Sequence, residues 1–460
     1  MIHIYKNNGY NIVMDVESGS VHIVDDMTYD LIEALDEYDS NFKAVPFGEI
    51  REYVLGKLSG YDETEIEEAY GEVAELIEDE SLFTSEPSVE VSDGISKRRP
   101  ILKALCLHIA HDCNLSCRYC FASEGEYHGK RELMSFEVGK RALDLLVRES
   151  MGRKNLEVDF FGGEPLMNFE VVKQLVAYGR TLEKEHDKKF RFTLTTNGVL
   201  LNDDILEFAN KEMDNLVLSI DGRREVHDKM RPHRGGQGSY DEIVPKFLKA
   251  AESRDQMNYY VRGTFTHENL DFSEDVKHLA ELGFKQISVE PVVAPLSESY
   301  AIKEEDIPTI LEQYDILAKY LLKKKEEKDP FNFFHFMIDL TGGPCITKRL
   351  VGCGSGTEYL AVAPNGDLYP CHQFVGMNDF LLGNVETGVV NSGVTEKFQK
   401  CNVYSKQECK TCFAKYHCSG GCAANAYNFT GDINGVYNIG CMMQRKRVEC
   451  AIMIKAAVAE

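Results

Sequence analysis

Short apolar runs alternate with amphipathic helical stretches over residues 100–330. Strands and helices that alternate along a chain form parallel sheets, because each helix returns the chain to the start of the next strand. Six such units predict an α/β fold, a partial (β/α)6 barrel whose chemistry lies at the carboxyl ends of its strands. The predicted strands are Ala104–Ala110, Leu156–Phe161, Arg191–Thr195, Leu216–Ile220, Tyr259–Phe265 and Gln286–Val292.

A separate unit precedes the barrel. Alternating runs such as Tyr10–Asp15 and Val21–Asp25 predict a small sheet, and helical periodicity then takes over. Ser85 to Pro100 is polar and aperiodic, which predicts a linker after an α+β domain over residues 1–90. The predicted helices are Thr28–Leu35, Phe47–Leu58 and Glu63–Leu82.

This front unit carries most of the charge of the chain. Residues 1–92 contain 23 acidic and 4 basic residues, and the whole chain has a net charge of -24. Nucleic acid is a poor partner for such a surface, since phosphate binding depends on clustered Lys and Arg. A basic peptide is a suitable partner, although a solvated acidic surface would have the same composition.

The 14 cysteines fall into two regions. None precedes Cys106; four lie between Cys106 and Cys120 and ten between Cys345 and Cys450. No apolar run approaches the length of a membrane span and no signal-peptide pattern opens the chain. We therefore expect a cytoplasmic protein with no membrane partner, whose thiols bind metal rather than form disulfides.

Beyond a long charged helix, about Glu304–Lys328, regular patterns fade. From about Gly342 the chain is rich in Cys and Gly. We expect a loop-rich domain over residues 331–450, in which metal sites replace a hydrophobic core.

Three thiols follow the first predicted barrel strand on one short loop, Cys113-x3-Cys117-x2-Cys120. A 4Fe-4S cluster held by three Cys leaves one iron open to a small molecule. Zinc is the alternative, because His108 or His111 could complete a four-ligand site.

The triplet resembles the signature of the radical S-adenosylmethionine (SAM) superfamily, which has the same spacing and an aromatic residue, here Tyr119, before the third Cys. The resemblance implies that Cys113, Cys117 and Cys120 are catalytic and hold a 4Fe-4S cluster, with Tyr119 beside the bound SAM. It also implies reductive cleavage of SAM to a 5'-deoxyadenosyl radical, which takes a hydrogen atom from the substrate inside the barrel.

Segments at the strand ends extend this resemblance. Gly162-Gly163-Glu164-Pro165 is similar to the family segment that holds the methionine amino group, through the Glu164 carboxylate and nearby carbonyls. The two glycines permit a close approach. An ordinary turn would have the same composition.

Three further cofactor segments are implied by the same resemblance. Thr195 and Asn197 end the third strand, and Ser219 and Asp221 end the fourth, near the expected ribose and methionine carboxylate. Arg262, on the fifth strand, could form a bidentate contact with that carboxylate. Plain turns and a surface salt bridge are the alternatives. A following segment is interpreted as structural: His227, Asp228 and Arg231.

Seven cysteines of the second region match one further pattern, that of the SPASM extension of peptide-modifying radical enzymes, with Gly383-Asn384-Val385 as an associated segment. The resemblance implies two auxiliary 4Fe-4S clusters, hence three in all. One of the two implied sets has only three cysteines. Cys345 could be its fourth ligand, or the fourth iron of that cluster could stay open for a substrate thiolate. Cys106, Cys401 and Cys450 lie outside the pattern, and a double zinc ribbon is the alternative. The implied ligand sets are Cys409, Cys412, Cys418 and Cys441, and Cys353, Cys371 and Cys422.

The ensemble resembles maturases of six-cysteine ribosomal peptides from anaerobic bacteria, which join a Cys sulfur to an α-carbon. The front domain is similar in shape to a winged-helix-like precursor-recognition domain, which would take the leader of the precursor peptide as an added strand. A low-potential external donor would supply electrons. In sulfatase maturases, the runner-up, an Asp typically follows the second auxiliary Cys, whereas His372 follows Cys371 here. An iron-sulfur electron carrier is the non-enzymatic alternative. The peptide, its acceptor residue and the ring pattern stay undetermined.

Overall fold

The computed structural model describes residues 1–86, 100–127, 129–340 and 346–459. Its strands, in chain order, are β1 Ile2–Asn7, β2 Tyr10–Asp15, β3 Val21–Val24, β4 Ala104–Ala110, β5 Asn155–Gly162, β6 Lys189–Thr196, β7 Asn215–Ser219, β8 Tyr259–Phe265, β9 Gln286–Pro291, β10 Asn332–Phe333, β11 Tyr359–Val362, β12 Asp367–Tyr369, β13 Gly383–Asn384 and β14 Gly388–Val389.

Helices fill most of the connections between these strands. The α-helices are α1 Asp26–Tyr38, α2 Phe47–Lys57, α3 Glu63–Glu78, α4 Phe136–Glu149, α5 Phe169–His186, α6 Asp203–Glu212, α7 Arg224–Met230, α8 Tyr240–Ser253, α9 Phe272–Glu281, α10 Ile307–Glu326, α11 Ile346–Val351, α12 Ser392–Lys400, α13 Gln407–Lys410, α14 Lys415–Cys418, α15 Ala423–Thr430 and α16 Asn438–Ala459. None of the helices in these described ranges is long and apolar enough to cross a membrane.

One large sheet organises the molecule, in the order β10-β9-β8-β7-β6-β5-β4-β11-β12-β13-β14. The strands from β10 to β11 in this order are parallel, and the last three pairings are antiparallel. The α/β prediction is confirmed, and all six predicted strands are present within two residues of their expected bounds. The order is linear through the described strands, as in a partial barrel.

The sheet is longer than predicted, since β10 and β11 extend the parallel part at its two edges. β10 was not predicted because its two residues are too few to show the alternation of apolar and polar residues that marks a strand. β11 lies in the Cys-rich stretch, and its residues Tyr359–Val362 pair with Ala104–Leu107 of β4.

The two faces of the sheet differ. In β5 and β6, alternate residues such as Phe160, Phe192 and Leu194 are fully buried, while Asp159 and Thr195 are only half-buried. The fully buried residues belong to the main hydrophobic core. Successive side chains of a strand point to opposite faces, so Asp159 and Thr195 lie on the face that the helix-packed core leaves open. The carboxyl ends of the parallel strands meet along one edge of this open face.

The front unit has a core of its own. β1, β2 and β3 form an antiparallel sheet with Ile12 opposite Ile23, and α1 to α3 follow it as the periodicity predicts. The Asp25 and Asp62 carboxylates cap α1 and α3 by accepting hydrogen bonds from backbone N–H groups. Val13, the helices and Phe83 form a hydrophobic cluster distinct from the main one. The predicted linker falls mostly on residues 87–99, which lie outside the described ranges.

The C-terminal region differs from the expectation of a loop-rich domain without a core. Phe374, Phe398 and Met443 belong to the main hydrophobic cluster, and the 22-residue α16 packs against α10. Helical periodicity did not predict α16, because its apolar residues lie on all sides of the helix rather than along one stripe.

Candidate cluster and cofactor site

The loop that follows β4 carries the three thiols of the first motif. Cys113, Cys117 and Cys120 are free of disulfides. The loop is fixed from one side by the segment after α7, since Ser116 N–H donates to the Pro232 carbonyl (2.9 Å) and Arg118 N–H to the Met230 carbonyl (2.9 Å). The spacing therefore places three thiols on one anchored turn at the carboxyl end of a parallel strand, as the sequence predicted.

Burial makes these thiols hard to ionise on their own. It raises the pKa of Cys113 to about 11 and that of Cys117 to about 12, although the Arg231 guanidinium opposes the second shift. Nδ2 of Asn197 lies 3.6 Å from the Cys113 sulfur. A positively charged iron centre would convert such thiols into thiolates, so the donor set fits an iron-sulfur cluster.

The zinc alternative depends on His108 or His111 as a further ligand. Nδ1 of His108 lies 3.0 Å from Nε2 of His111, so the two histidines that zinc would use are bonded to each other.

Gly162 and Gly163 let the end of β5 lie against the cysteine loop. A Cβ atom on Gly162 would lie 2.4 Å from the Ala110 carbonyl oxygen, and one on Gly163 would lie 2.1 Å from the Asp112 carbonyl oxygen. The Gly163 N–H donates to the Ala110 carbonyl at 2.8 Å. The glycines were expected to admit a ligand; in the structure they admit the neighbouring backbone, which brings Glu164 beside the loop.

Glu164 is a fully buried carboxylate at the site. Its Oε1 accepts hydrogen bonds from the Thr196 hydroxyl (2.9 Å) and Leu166 N–H (3.0 Å), and its Oε2 accepts one from Asn197 N–H (2.8 Å). A carboxylate has about four acceptor positions, so one position on Oε2 is left for a further donor. Burial raises the pKa of Glu164 to about 7 despite these donors.

Asp221 and Tyr119, both predicted to face the cofactor, contact each other. The Tyr119 hydroxyl donates to the Asp221 carboxylate (2.7 Å to Oδ2), and Arg231 Nε and Thr264 N–H donate to its Oδ1 at 2.9 and 3.0 Å. Asp221 is fully buried. This network ties the cysteine loop to β8 and to the end of α7. Sequence reasoning treated Arg231 as structural; its contact with the ring of Tyr119 was hidden because the two residues are distant in the chain.

Thr195, Ser219 and Arg262 lie on the open face of the sheet. Ser219 of β7 is the register partner of Arg262 of β8. The Arg262 side chain is 52% exposed, and its Nη2 lies 3.8 Å from Oε1 of Glu290, beyond hydrogen-bonding distance. Arg262 is therefore still able to bind a ligand. Sequence reasoning predicted a cofactor contact for Thr195 but missed the adjacent Thr196, whose hydroxyl binds Glu164.

The second cysteine region divides into two neighbourhoods. Burial raises the pKa of Cys371 to about 12, and the nearby thiols of Cys422 and Cys353 add to this rise. Burial likewise raises the pKa of Cys418 to about 12, with contributions from a different set of thiols. The contributing thiols are those of Cys441, Cys409 and Cys412. In each case the contributing thiols belong to one of the two ligand sets that the resemblance implied, and the assignment of these sets stays a prediction.

One cysteine outside the pattern joins the first of these groups. Burial chiefly raises the pKa of Cys401, and Cys353 and Cys422 contribute to the rise. The Cys401 thiol donates to the Ile433 carbonyl at 3.3 Å. Cys345, the candidate for an additional ligand, lies outside the described residues.

Comparison with known proteins agrees with this geometry. Residues 107–279 match the radical SAM superfamily, and residues 353–413 match the iron-sulfur cluster-binding SPASM domain. A cysteine-type anaerobic sulfatase-maturating enzyme of Clostridium novyi is 25% identical over 74% of this chain and 92% of its own.

Two solved structures share the fold. Native anSMEcpe with bound AdoMet has a TM-score of 0.64 and 21% identity, over 78% of this chain and 100% of its own. Streptococcus suis SuiB bound to the precursor peptide SuiA has a TM-score of 0.51 and 16% identity, over 93% of this chain and 96% of its own. The chain therefore contains a radical SAM domain and an iron-sulfur cluster-binding SPASM domain.

Proposed function

We propose that this protein is a peptide maturase that joins a Cys sulfur to an α-carbon within a ribosomally made precursor peptide. The observation that carries the proposal is the front domain. The likeness to SuiB, which was solved with a precursor peptide, leaves about 32 residues of this chain unmatched, fewer than the 86 described residues of the front region. Part of that region is therefore shared with a peptide-binding relative.

The site residues have defined roles in this proposal. Cys113, Cys117 and Cys120 hold the 4Fe-4S cluster, and Glu164 offers its free acceptor position to the ammonium group of SAM. SAM, when bound to the reduced cluster, supplies a radical able to take a hydrogen atom from an unactivated carbon. Asn197 and Tyr119 line the loop, and buried Asp221 holds Tyr119 in place.

The open face of the sheet supplies the remaining cofactor contacts in this proposal. Thr195 and Ser219 present hydroxyl donors, and Arg262 presents a guanidinium that the 3.8 Å separation from Glu290 leaves available for a carboxylate. Phe161 and His372 lie against each other with ring centroids 5.1 Å apart, and burial lowers the pKa of His372 to about 4. The His372 ring beside Cys371 is thus neutral at pH 7, and with Phe161 it presents an aromatic surface there.

The two auxiliary cysteine groups have a role in removing the second electron from the peptide. Forming the carbon–sulfur bond removes two hydrogens from the peptide: one leaves as a hydrogen atom, and the thiol hydrogen leaves as a proton and an electron. Cys353, Cys371 and Cys422 would hold one auxiliary cluster, and Cys409, Cys412, Cys418 and Cys441 would hold the other. Such clusters would supply a one-electron acceptor. A low-potential external donor would supply the electron that SAM cleavage requires.

The leader of the peptide is proposed to bind along β3. In the described sheet β3 is an outer strand that pairs with β2, and Val21, His22, Ile23 and Val24 are each at least partly exposed. An exposed strand edge accepts an added peptide strand through backbone hydrogen bonds. The acidity of residues 1–92 favours a basic leader.

A second candidate is oxidation of a peptidyl Cys or Ser, as in sulfatase maturation, and the 25% identity to the Clostridium novyi enzyme favours it. Both reactions remove two hydrogens. They differ in the fate of the thiol, which the thioether reaction consumes.

The test is anaerobic incubation of the reduced enzyme with SAM and candidate precursor peptides, followed by mass spectrometry before and after thiol alkylation. We expect 5'-deoxyadenosine, a loss of two hydrogens and one thiol that no longer reacts. Loss of two hydrogens with every thiol still alkylated would reject the thioether reaction. Absence of 5'-deoxyadenosine would reject catalysis and leave an electron carrier.

A further inference from the structure

The short segment between two of the auxiliary cysteines is fastened to the front domain. Five residues separate Cys412 from Cys418, and three of them contact residues near the amino terminus. The Phe413 ring stacks on His3 with centroids 3.4 Å apart and planes 4° from parallel. Lys415 and Tyr416 both bind Glu17, which lies in the turn between β2 and β3.

The Glu17–Lys415 pair is an ion pair removed from water. Nζ of Lys415 lies 2.7 Å from Oε1 of Glu17, and the two side chains are 1% and 2% exposed. The Tyr416 hydroxyl donates to Oε2 of the same carboxylate at 2.9 Å. Burial alone would favour loss of the Lys415 charge, but Glu17 and Glu86 outweigh it and raise the Lys415 pKa. The ammonium is therefore charged, and each partner depends on the other for compensation.

The same ammonium also holds the neighbouring loop. A Lys has three N–H donors, and the Lys415 ammonium directs them to Glu17, to Glu86 at 3.3 Å and to the Lys410 carbonyl at 3.5 Å. Lys410 lies between Cys409 and Cys412. One buried charge thus braces both intervals that separate Cys409, Cys412 and Cys418.

The fourth cysteine of this group is braced by the same sheet. Cys441 lies in α16, and further along that helix Glu449 binds two residues of β1. Nε2 of His3 lies 3.0 Å from Glu449 Oε1, and the Tyr5 hydroxyl donates to the Glu449 carbonyl at 3.0 Å. The front sheet therefore contacts both segments from which the four thiols come.

From these contacts we infer that Glu17 and Lys415 are positioning residues for the second auxiliary cluster, so that the front domain forms part of the support of that cluster and sets its potential. The inference rests on the proposed assignment of Cys409, Cys412, Cys418 and Cys441 as its ligands. Reduction adds negative charge to a cluster, and the net charge around a cluster tunes its potential. An uncompensated buried cation favours the reduced form, and an uncompensated buried anion favours the oxidised form.

The charge logic gives opposite signs for the two partners. Glu17→Gln leaves the Lys415 ammonium with the half-exposed Glu86 alone, so the midpoint potential of this cluster should rise. Lys415→Met leaves the Glu17 carboxylate buried and unpaired, so the potential should fall. The double variant Glu17→Gln/Lys415→Met removes both charges and should return the potential toward the wild-type value. Lys6→Met, which breaks the exposed pair with Asp26 in the same domain, is the matched control and should cause no shift.

The experiment is an anaerobic redox titration of the holoenzyme followed by electron paramagnetic resonance, with iron content measured for every variant. Opposite shifts in the single variants, cancelled in the double, support the inference. Full iron content with unmoved potentials in both single variants overturns it. If the single variants lose iron, recovery of iron in the double variant supports the inference, and failure to recover overturns it.

Cys409→Ala separates this inference from the proposed function. If this variant keeps the full iron content and every cluster signal, the ligand assignment and the function built on it fail. If it loses one cluster signal that Glu17→Gln and Lys415→Met leave unmoved, only the positioning role fails.

Discussion

Replacing Glu164 by Gln tests the predicted SAM site most directly. The carboxylate accepts three protein hydrogen bonds and has one acceptor position left. A Gln side chain has one oxygen and one NH2 group, so in either orientation at least one buried backbone N–H, of Leu166 or Asn197, faces another donor. Leaving a buried donor unpaired costs about 1–3 kcal/mol of folding stability.

The loss in SAM affinity is a separate term. A hydrogen bond between a charged donor and a charged acceptor contributes about 1.5–3 kcal/mol. At about 1.4 kcal/mol per factor of ten, Glu164→Gln should weaken SAM binding by about 10- to 150-fold. The assay is anaerobic equilibrium binding of SAM to the iron-loaded protein, with 5'-deoxyadenosine formation as a second readout.

Two further variants make this result interpretable. Thr196→Val removes one neutral donor to Glu164 but keeps the carboxylate charge, so it should perturb stability while changing SAM affinity by less than about tenfold. Asp159→Asn alters a half-buried carboxylate of β5 and should leave SAM affinity within about twofold. Wild-type SAM affinity in an iron-replete Glu164→Gln protein would refute the assigned role.

Three other predictions follow from individual side chains. Burial raises the pKa of Asp159 to about 6, so the stability that its protonated form contributes is lost as pH rises through that value. The free energy of unfolding of Asp159→Asn, relative to wild type, should therefore grow by about 1.5 kcal/mol between pH 5 and pH 8. A melting-temperature difference that does not change with pH would contradict this. If Cys401 or Cys345 is the fourth ligand of an auxiliary cluster, its replacement by Ala should lower the iron content and alter the spectrum of that cluster, whereas Cys106→Ala should do neither. Equal iron content in all three variants would indicate that the fourth iron of the cluster has no Cys ligand. Glu268 pairs with Arg118 of the cysteine loop at 2.9 Å, and this contact lowers the pKa of the Glu268 carboxylate. The variant Glu268→Gln should lose iron faster during chelator challenge. An unchanged rate of iron loss would argue against a role of Glu268 in holding the loop.

Deleting residues 1–90 is a poor test of leader binding, given these contacts. The deletion removes Glu17 as well as β3, and it leaves the buried Lys415 without its main partner. Exchange of β3 residues such as Ile23 for Lys is cleaner, because the side chain is 37% exposed and lies away from the cluster contacts. Unchanged affinity for a basic leader would count against the β3 edge.

The barrel strands and the cysteine groups could be predicted because each leaves a local pattern. An apolar run that ends in Asn-Gly or Asp-Gly predicts a strand and the residue at which it ends. The spacing of cysteine ligands is likewise visible in the sequence and does not depend on the conformation of the loops. Contacts between distant residues leave no such pattern. Tyr119 and Asp221 are 102 positions apart, and Glu17 and Lys415 are 398 apart. The choice between Thr195 and Thr196 depends on which face of β6 each occupies at the strand end, which composition does not determine.

The pairing of β4 with β11 affects how this protein is assembled. Ala104 and Tyr359 are register partners separated by more than half of the chain, and all seven residues of β4 are buried. A ribosome must therefore synthesise the chain past Val362 before β4 gains its second neighbour. A fragment that stops near residue 340 would present β4 as an uncovered apolar edge, prone to pair with other chains. Expressing the radical SAM domain alone should accordingly give aggregates, and we expect the two iron-binding regions to fold as one unit.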